Sequence, residues 1–112
     1  MPRLLAALII ALTLLALTPS NPALATDFTN GAQVFATNCA ACHSGGGNII
    51  RRGKNLKRRA LGRNKMNSIE AISSLVTNGK YAMPAYKDRL SYQQIQDVAA
   101  YILQQAENNW KS

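Results

Sequence analysis

The residues of this chain best suited to chemistry are its two cysteines and its single histidine, which lie within five consecutive positions. They form the motif Cys39-Ala40-Ala41-Cys42-His43. The spacing C-x-x-C-H is the attachment signature of c-type haem. Two thiols one helical turn apart can form thioethers with the two porphyrin vinyl groups, and the histidine then becomes the proximal iron ligand. The motif therefore predicts one covalently bound haem c.

Three other interpretations of the two cysteines remain open from the sequence alone. A disulfide between Cys39 and Cys42 would close a very short loop and contribute little entropy. A thioredoxin-like redox pair requires a βαβ context, and no such pattern is visible. A zinc site needs two further ligands, but the chain has no other cysteine or histidine. Because one motif uses all three residues, haem attachment is the favoured interpretation.

The sixth iron ligand is predicted by elimination. With a single histidine, bis-histidine ligation within the chain is impossible, and a methionine thioether is the usual alternative. Met83 precedes Pro84, which keeps this segment extended. Met66 precedes a predicted helix start, where a methionine commonly fills the core. The sequence thus favours Met83 as the axial ligand, with Met66 as the second candidate, and we expect His43 to donate its free N–H to a backbone carbonyl.

The N-terminal 25 residues have the pattern of a secretory signal peptide. Arg3 precedes an apolar run over 4–17, and the Ala23-Leu24-Ala25 cleavage pattern follows. The run is shorter than the about 20 residues that a membrane-spanning helix needs. We therefore expect residues 1–25 to be removed and residues 26–112 to form one exported domain.

The expected mature domain is small and basic. It carries 12 basic and 5 acidic side chains, and its length is that of chains that need a disulfide, a metal or a cofactor to complete the core. This composition excludes a multidomain enzyme, a disordered tail and a membrane-spanning carrier.

The segment before the haem motif has the apolar spacing of a helix. Gly31 within this segment permits the close approach of a partner helix. The predicted partner is the last helix of the chain, through Tyr101 or its neighbours. The residues predicted to share the apolar face of the first helix are Phe28, Ala32, Phe35 and Ala36.

Two further helices are predicted from their capping residues. Asn67 and Ser91 each stand three residues before a Glu or Gln, the pattern of a capping box. Gly79 is predicted to end the first of these helices. A shorter helix is expected near 55–61, and no strand pattern is visible. The predicted fold class is all-α, with four to five helices wrapped around one haem.

Taken in order, these motifs resemble those of cytochrome c6, the small class I cytochrome c of cyanobacteria and algae. The resemblance covers essentially all of residues 26–112. It implies that Cys39 and Cys42 carry the haem and that His43 and Met83 are its axial ligands. The similar segments are Gly31-Ala32-Gln33-Val34-Phe35, Asn38 to His43, Asn78-Gly79-Lys80, Ala82-Met83-Pro84-Ala85, Asp88-Arg89-Leu90, Tyr101 and Trp110-Lys111.

The resemblance also implies a function. Such a protein would be a soluble, monomeric one-electron carrier from the cytochrome b6f complex to photosystem I in the thylakoid lumen of a cyanobacterium. The alternative is a lumenal or periplasmic cytochrome that donates to a terminal oxidase. A haem enzyme or sensor with an open iron site is less favoured, because the chain lacks a second histidine and its five acids are scattered.

Residues 51–65 depart from the commoner pattern of that family, with eight basic residues in fifteen and no acid. The favoured interpretation is a docking surface for acidic partners, since complementary charge speeds encounter. A solvated face without a dedicated role and transient contact with an anionic membrane remain alternatives. Nucleic-acid binding conflicts with export. Arg89 either joins this surface or contacts a haem propionate.

Overall fold

A computed structural model describes residues 25–111, which fold into α-helices connected by loops. No strand forms within this range, so the prediction of an all-α fold with four to five helices is confirmed. No helix in the same range is long and apolar enough to cross a bilayer. The helices are α1 (Phe28–Asn38), α2 (Ala40–His43), α3 (Arg58–Arg63), α4 (Ile69–Asn78) and α5 (Tyr92–Glu107), with 3-10 turns at Ser44–Gly46 and Arg52–Lys54.

The predicted signal peptide lies outside the described residues, apart from Ala25. Its removal therefore stays a prediction. The bounds of 26–112 for the mature domain likewise stay a prediction.

The N-termini of α4 and α5 are capped by serine side chains. Ser91 begins α5 with the predicted capping box: its Oγ accepts from the Gln94 N–H at 3.1 Å, and its own N–H donates to Gln94 Oε1 at 2.8 Å. At α4 the cap is Ser68, whose Oγ accepts from the Ala71 N–H at 3.1 Å. The prediction of Asn67 as this cap was wrong by one residue, because Asn and Ser are both good N-caps and stand side by side.

The short helix predicted near 55–61 is confirmed with later bounds, since α3 begins at Arg58. The later start of α3 has a local cause. The side chain of Asn55 accepts a hydrogen bond from the Lys57 N–H at 3.0 Å and holds this segment in a turn.

Helices α1 and α5 approach each other closely at Gly31, as predicted. A Cβ at Gly31 would overlap the backbone carbonyl of Asp97 and lie 2.8 Å from Tyr101 Cβ, so only glycine allows this distance. Next to this crossing, the ring of Phe35 packs 5.5 Å from the ring of Tyr101.

The buried face of α1 differs in part from the prediction. Gly31, Val34 and Phe35 are buried, whereas Phe28 is 42% exposed and Ala36 is exposed. The contact with α5 is centred on the glycine rather than on the larger apolar side chains. Helix α1 is therefore rotated about its own axis, so that Gly31 and Val34 face the core in place of Phe28 and Ala36.

A buried carboxylate that the sequence analysis missed joins α5 to the start of α1 beside this crossing. We call Asp97 and its hydrogen bonds the Asp97 clamp. Asp97 on α5 is only 2% exposed. Its Oδ1 accepts from the Asp27 N–H at 3.1 Å and from Gln93 Nε2 at 2.9 Å, and its Oδ2 accepts from Asn30 Nδ2 at 2.9 Å. Burial by itself raises the pKa of Asp97, but these hydrogen bonds outweigh burial and lower the pKa below its ordinary value.

Replacing Asp97 by Asn is expected to lower the free energy of unfolding by about 1–3 kcal/mol near neutral pH, because charge-assisted hydrogen bonds are lost. Since the folded state lowers the pKa, the stabilisation is present above the ordinary value of 3.8 and is lost as the pH falls below it. Denaturant unfolding at several pH values measures the difference, which should shrink in acid. Asp88→Asn, at an exposed carboxylate, is the control, and an equal loss in that variant would contradict the prediction.

The C-terminal end of the chain fixes the loop that follows the haem motif. Trp110 packs 5.2 Å from Phe35, ring to ring, and its Nε1 donates to the carbonyl of Leu56 at 3.0 Å. A Cβ at Gly46 would overlap the indole, and Gly46 has a φ of +79°. The loop is thus tied to α1 and to the C-terminus.

Candidate haem site

The predicted site residues surround one cavity of about 230 Å³. Cys39, Cys42, His43 and Met83 all line it, although Met83 lies 40 positions after His43 in the chain. Met66 lines the same cavity and packs against the core. Geometry therefore brings together all four predicted site residues and also the second candidate for the sixth ligand.

Helix α2 presents the two cysteines within a single turn. The N–H groups of Cys42 and His43 both donate to the carbonyl of Cys39, at 3.2 and 2.9 Å. The two cysteines are half-buried and are not joined by a disulfide. Burial raises the pKa of Cys39 to about 11, so this thiol is protonated at neutral pH until it reacts.

The ring of His43 is oriented by one backbone group. Its Nδ1 lies 2.7 Å from the carbonyl oxygen of Gly47. A carbonyl can only accept, so Nδ1 carries the proton and Nε2 is left with a free lone pair. This arrangement is typical of histidines that bind metals, and Gly47 supplies the carbonyl that the sequence analysis could not name.

Met83 lies in a segment that folds back over the end of α4. We call residues 79–86 the Met83 strap. Gly79 ends α4 with a φ of +70°, and a Cβ there would lie 2.7 Å from the Ala85 nitrogen and 2.9 Å from the Met83 carbonyl. Lys80 and Met83 exchange backbone hydrogen bonds, with the Lys80 N–H 3.1 Å from the Met83 carbonyl. The confirmed helix end at Gly79 therefore positions the backbone of the segment that carries Met83.

Tyr86 closes the strap and is 7% exposed. Its N–H donates to the Val76 carbonyl at 2.9 Å, and its hydroxyl donates to the Asn38 carbonyl at 3.0 Å. Burial raises the pKa of Tyr86 by more than the neighbouring Arg89 guanidinium lowers it. No sequence signal pairs residues 38 and 86, and the sequence analysis missed this contact.

Arg89 lies on the outer side of Tyr86. Its guanidinium carbon is 5.5 Å from the centroid of the tyrosine ring, a cation–π contact. The side chain is exposed and is not among the residues that line the cavity.

The walls of the cavity differ in polarity. Leu61, Ile72, Val76 and Ile102 make up much of the apolar interior, whereas one side carries cationic and amide groups. On that side Lys54 Nζ donates to Asn64 Oδ1 at 3.0 Å. The polar and cationic residues of this side are Asn48, Arg51, Lys54, Asn55 and Asn64, and Lys80 adds a further cation where the chain follows α4.

This chemistry fits a haem. A porphyrin is a large apolar ring with two carboxylates, and the cavity has apolar walls, a cationic side and no acidic residue among those that line it within 25–111. Two thiols, an imidazole nitrogen and a thioether are the donors that covalent attachment and axial ligation require. By contrast, no three His, Cys, Asp or Glu side chains cluster in the described range as a zinc site would need.

The fold and these donors define the class of the protein as a class I c-type cytochrome. A family model described as cytochrome c oxidase, cbb3-type, subunit III matches residues 26–102. A cytochrome c6-like protein of a Nostoc strain is 51% identical over 111 residues, which are 99% of this chain and 100% of that protein. The chain belongs to the c-type cytochrome family of that model and, more narrowly, to the cytochrome c6 family.

Two further comparisons agree with this assignment. The cytochrome c6 of a Synechococcus strain is 55% identical over 104 residues, covering 91% of this chain and 93% of that protein. The solved structure of cytochrome c6 from the diatom Phaeodactylum tricornutum matches with a TM-score of 0.73 and 46% identity, over 75% of this chain and 99% of that one.

Membership confirms four predictions from the sequence: the family, the class I fold, the cofactor and the absence of enzymatic activity. The cofactor is one covalently bound haem c with its iron. The protein is a cytochrome that carries electrons and is not an enzyme.

Proposed function

We propose that Cys39 and Cys42 attach the haem through thioethers and that His43 and Met83 are its axial ligands. The observation that carries this proposal is the convergence of these four side chains on one cavity. Met66 reaches the same cavity, but it lies outside the strap, in which backbone hydrogen bonds between Lys80 and Met83 hold the segment that carries Met83.

When bound, the haem supplies one-electron exchange between ferrous and ferric iron. The chain would contribute the ligands and the backbone contacts that hold them. Gly47 orients the imidazole of His43, and the Lys80–Met83 backbone contacts hold the thioether. Ligands held in this way would keep the structural change on electron transfer small and would exclude external molecules from the iron.

The function that this site supports best is delivery of electrons from the cytochrome b6f complex to photosystem I. The site would work in the thylakoid lumen of a cyanobacterium, after removal of residues 1–25. The cyanobacterial relatives named cytochrome c6 support this proposal. The second candidate is donation to a terminal oxidase, in the lumen or the periplasm, which the name of the matching family model favours.

The partner surface proposed for this chain is the basic surface, defined as the cationic side chains of residues 51–65. All of these residues are exposed, and two of them, Arg51 and Lys54, also line the haem cavity. Within residues 25–111 the only ion pair is the exposed contact of Arg58 Nε with Glu107 Oε1 at 3.6 Å. Most of this charge is therefore free to attract the acidic surface of a membrane redox complex, with transient contact to the membrane itself.

The electron-transfer rate is expected to fall on the order of tenfold from low to high ionic strength, because salt screens the attraction. Stopped-flow oxidation by photosystem I and by a terminal oxidase, each across ionic strength, tests both candidate partners. The double variant Arg52→Gln/Arg59→Gln should show a lower rate and a weaker salt dependence. Lys87→Gln, an exposed lysine outside the basic surface, is the control.

Two results would contradict the docking proposal. One is a rate with the faster partner that stays flat across ionic strength. The other is a Lys87→Gln rate that falls as far as that of the double variant, since general charge would then explain the effect.

A further inference from the structure

One hydrogen bond joins the two sides of the haem cavity. It runs from the hydroxyl of Tyr86 to the carbonyl of Asn38, residues 48 positions apart that both line the cavity. Asn38 directly precedes Cys39, and Tyr86 follows Met83 by three residues. The bond therefore links the attachment side of the cavity to the thioether side.

We propose that Tyr86 is a positioning residue whose hydroxyl keeps the Met83 strap closed and so limits the access of external ligands to the iron. This inference rests on the proposed function, in which Met83 is an axial ligand. Tyr86 acts through the strap and does not itself bind the iron.

The remaining hydrogen bonds of the strap do not connect it to the segment that carries Cys39 and Cys42. The N–H groups of Gly79 and Tyr86, and that of Lys87 just after the strap, donate to carbonyls of α4, while Lys80 and Met83 bond to each other. Within the residues that the structure describes, only the Tyr86 hydroxyl bonds the strap to the segment that carries Cys39 and Cys42. Without the bond of the Tyr86 hydroxyl, α4 is the only described helix to which the strap is hydrogen-bonded.

The acceptor makes this bond costly to lose. Asn38 is the last residue of α1, where helix carbonyls lack intrahelical partners. The bond is part-buried, between the buried Tyr86 and the half-buried Asn38, so removing the hydroxyl leaves the Asn38 carbonyl without its protein partner. Phenylalanine at position 86 would keep the ring and its contact with Arg89, and would delete only the tether.

The test is the rate at which imidazole binds to the ferric, haem-loaded protein. Tyr86→Phe is expected to bind imidazole about 3- to 10-fold faster than wild type, because opening of the strap becomes easier by the value of one hydrogen bond. The weak near-infrared band of the methionine–iron bond should persist in the resting variant. Tyr101→Phe is the matched control, since that hydroxyl makes no hydrogen bond within residues 25–111, and its rate should equal that of wild type.

The Asp97→Asn variant tests whether faster imidazole binding comes from opening of the strap or from a general loss of stability. That variant weakens the Asp97 clamp between α1 and α5, but Asp97 does not line the cavity. The rate at which the variant binds imidazole should therefore stay at the wild-type value. The proposal is wrong if Asp97→Asn accelerates binding as much as Tyr86→Phe, since general destabilisation would then explain both rates.

Met83→Ala distinguishes failure of this inference from failure of the proposed function. A wild-type rate in Tyr86→Phe together with fast binding in Met83→Ala overturns the role of Tyr86 alone. A wild-type rate in Met83→Ala overturns the ligand assignment, and the role of Tyr86 falls with it.

Discussion

The Met83→Ala protein is expected to have a lower reduction potential than wild type and to bind external ligands at its iron. The thioether is a soft neutral ligand that favours the ferrous state, so its loss favours the ferric state. The fall should be on the order of a tenth of a volt or more, within the about 0.8 V over which axial ligands set haem potentials. Redox titration measures the potential, and carbon monoxide binding to the ferrous protein measures access to the iron.

Met66→Ala is the matched control for this prediction. Met66 lines the same cavity, and the substitution removes the same group. Its potential should stay close to that of wild type, with some loss of stability from the cavity created in the core. An unchanged potential in Met83→Ala, or an equal fall in Met66→Ala, would show that Met83 is not the sixth ligand.

Removal of the haem is expected to unfold most of the domain. The side chains that line the haem cavity include core residues such as Leu61, Ile72 and Val76. Without the haem these side chains would face water, and leaving one apolar core side chain exposed costs about 1.5–3 kcal/mol. Small domains have only about 5–15 kcal/mol of stability in total, so the haem-free chain should lose its cooperative fold.

The double variant Cys39→Ala/Cys42→Ala, purified without haem, provides this measurement by circular dichroism and denaturant unfolding. The single variant Cys39→Ala keeps one thioether and is the control that should retain both haem and helices. A haem-free chain with the helix content and the denaturant midpoint of the holoprotein would refute the prediction.

Much of the helical structure follows from local sequence. The capping box at Ser91 depends on residues three positions apart, and Gly79 ends α4 because glycine readily adopts a positive φ. Asn67 and Ser68 are adjacent and are both good N-caps, so local chemistry does not decide which of them caps α4. The surrounding structure decides it.

The side chains that pack between helices were less predictable. Apolar spacing places Phe28 and Ala36 on the buried face of α1, but both are exposed, because the contact at Gly31 sets the rotation of the helix. The Asp97 clamp was also missed. A carboxylate in an otherwise apolar helix pattern does not reveal that two of its three donors lie 70 and 67 positions away.

The sequence by itself determined the chemistry of this cytochrome, since thiols, imidazole and thioether are properties of residue types and the spacing of Cys39, Cys42 and His43 is local. Only the tertiary structure decided how these groups are held. The carbonyl of Gly47 orients His43, and the carbonyl of Asn38 anchors the strap through Tyr86. Backbone carbonyls are present at every residue, so their partners are decided by folding and leave no mark in the sequence.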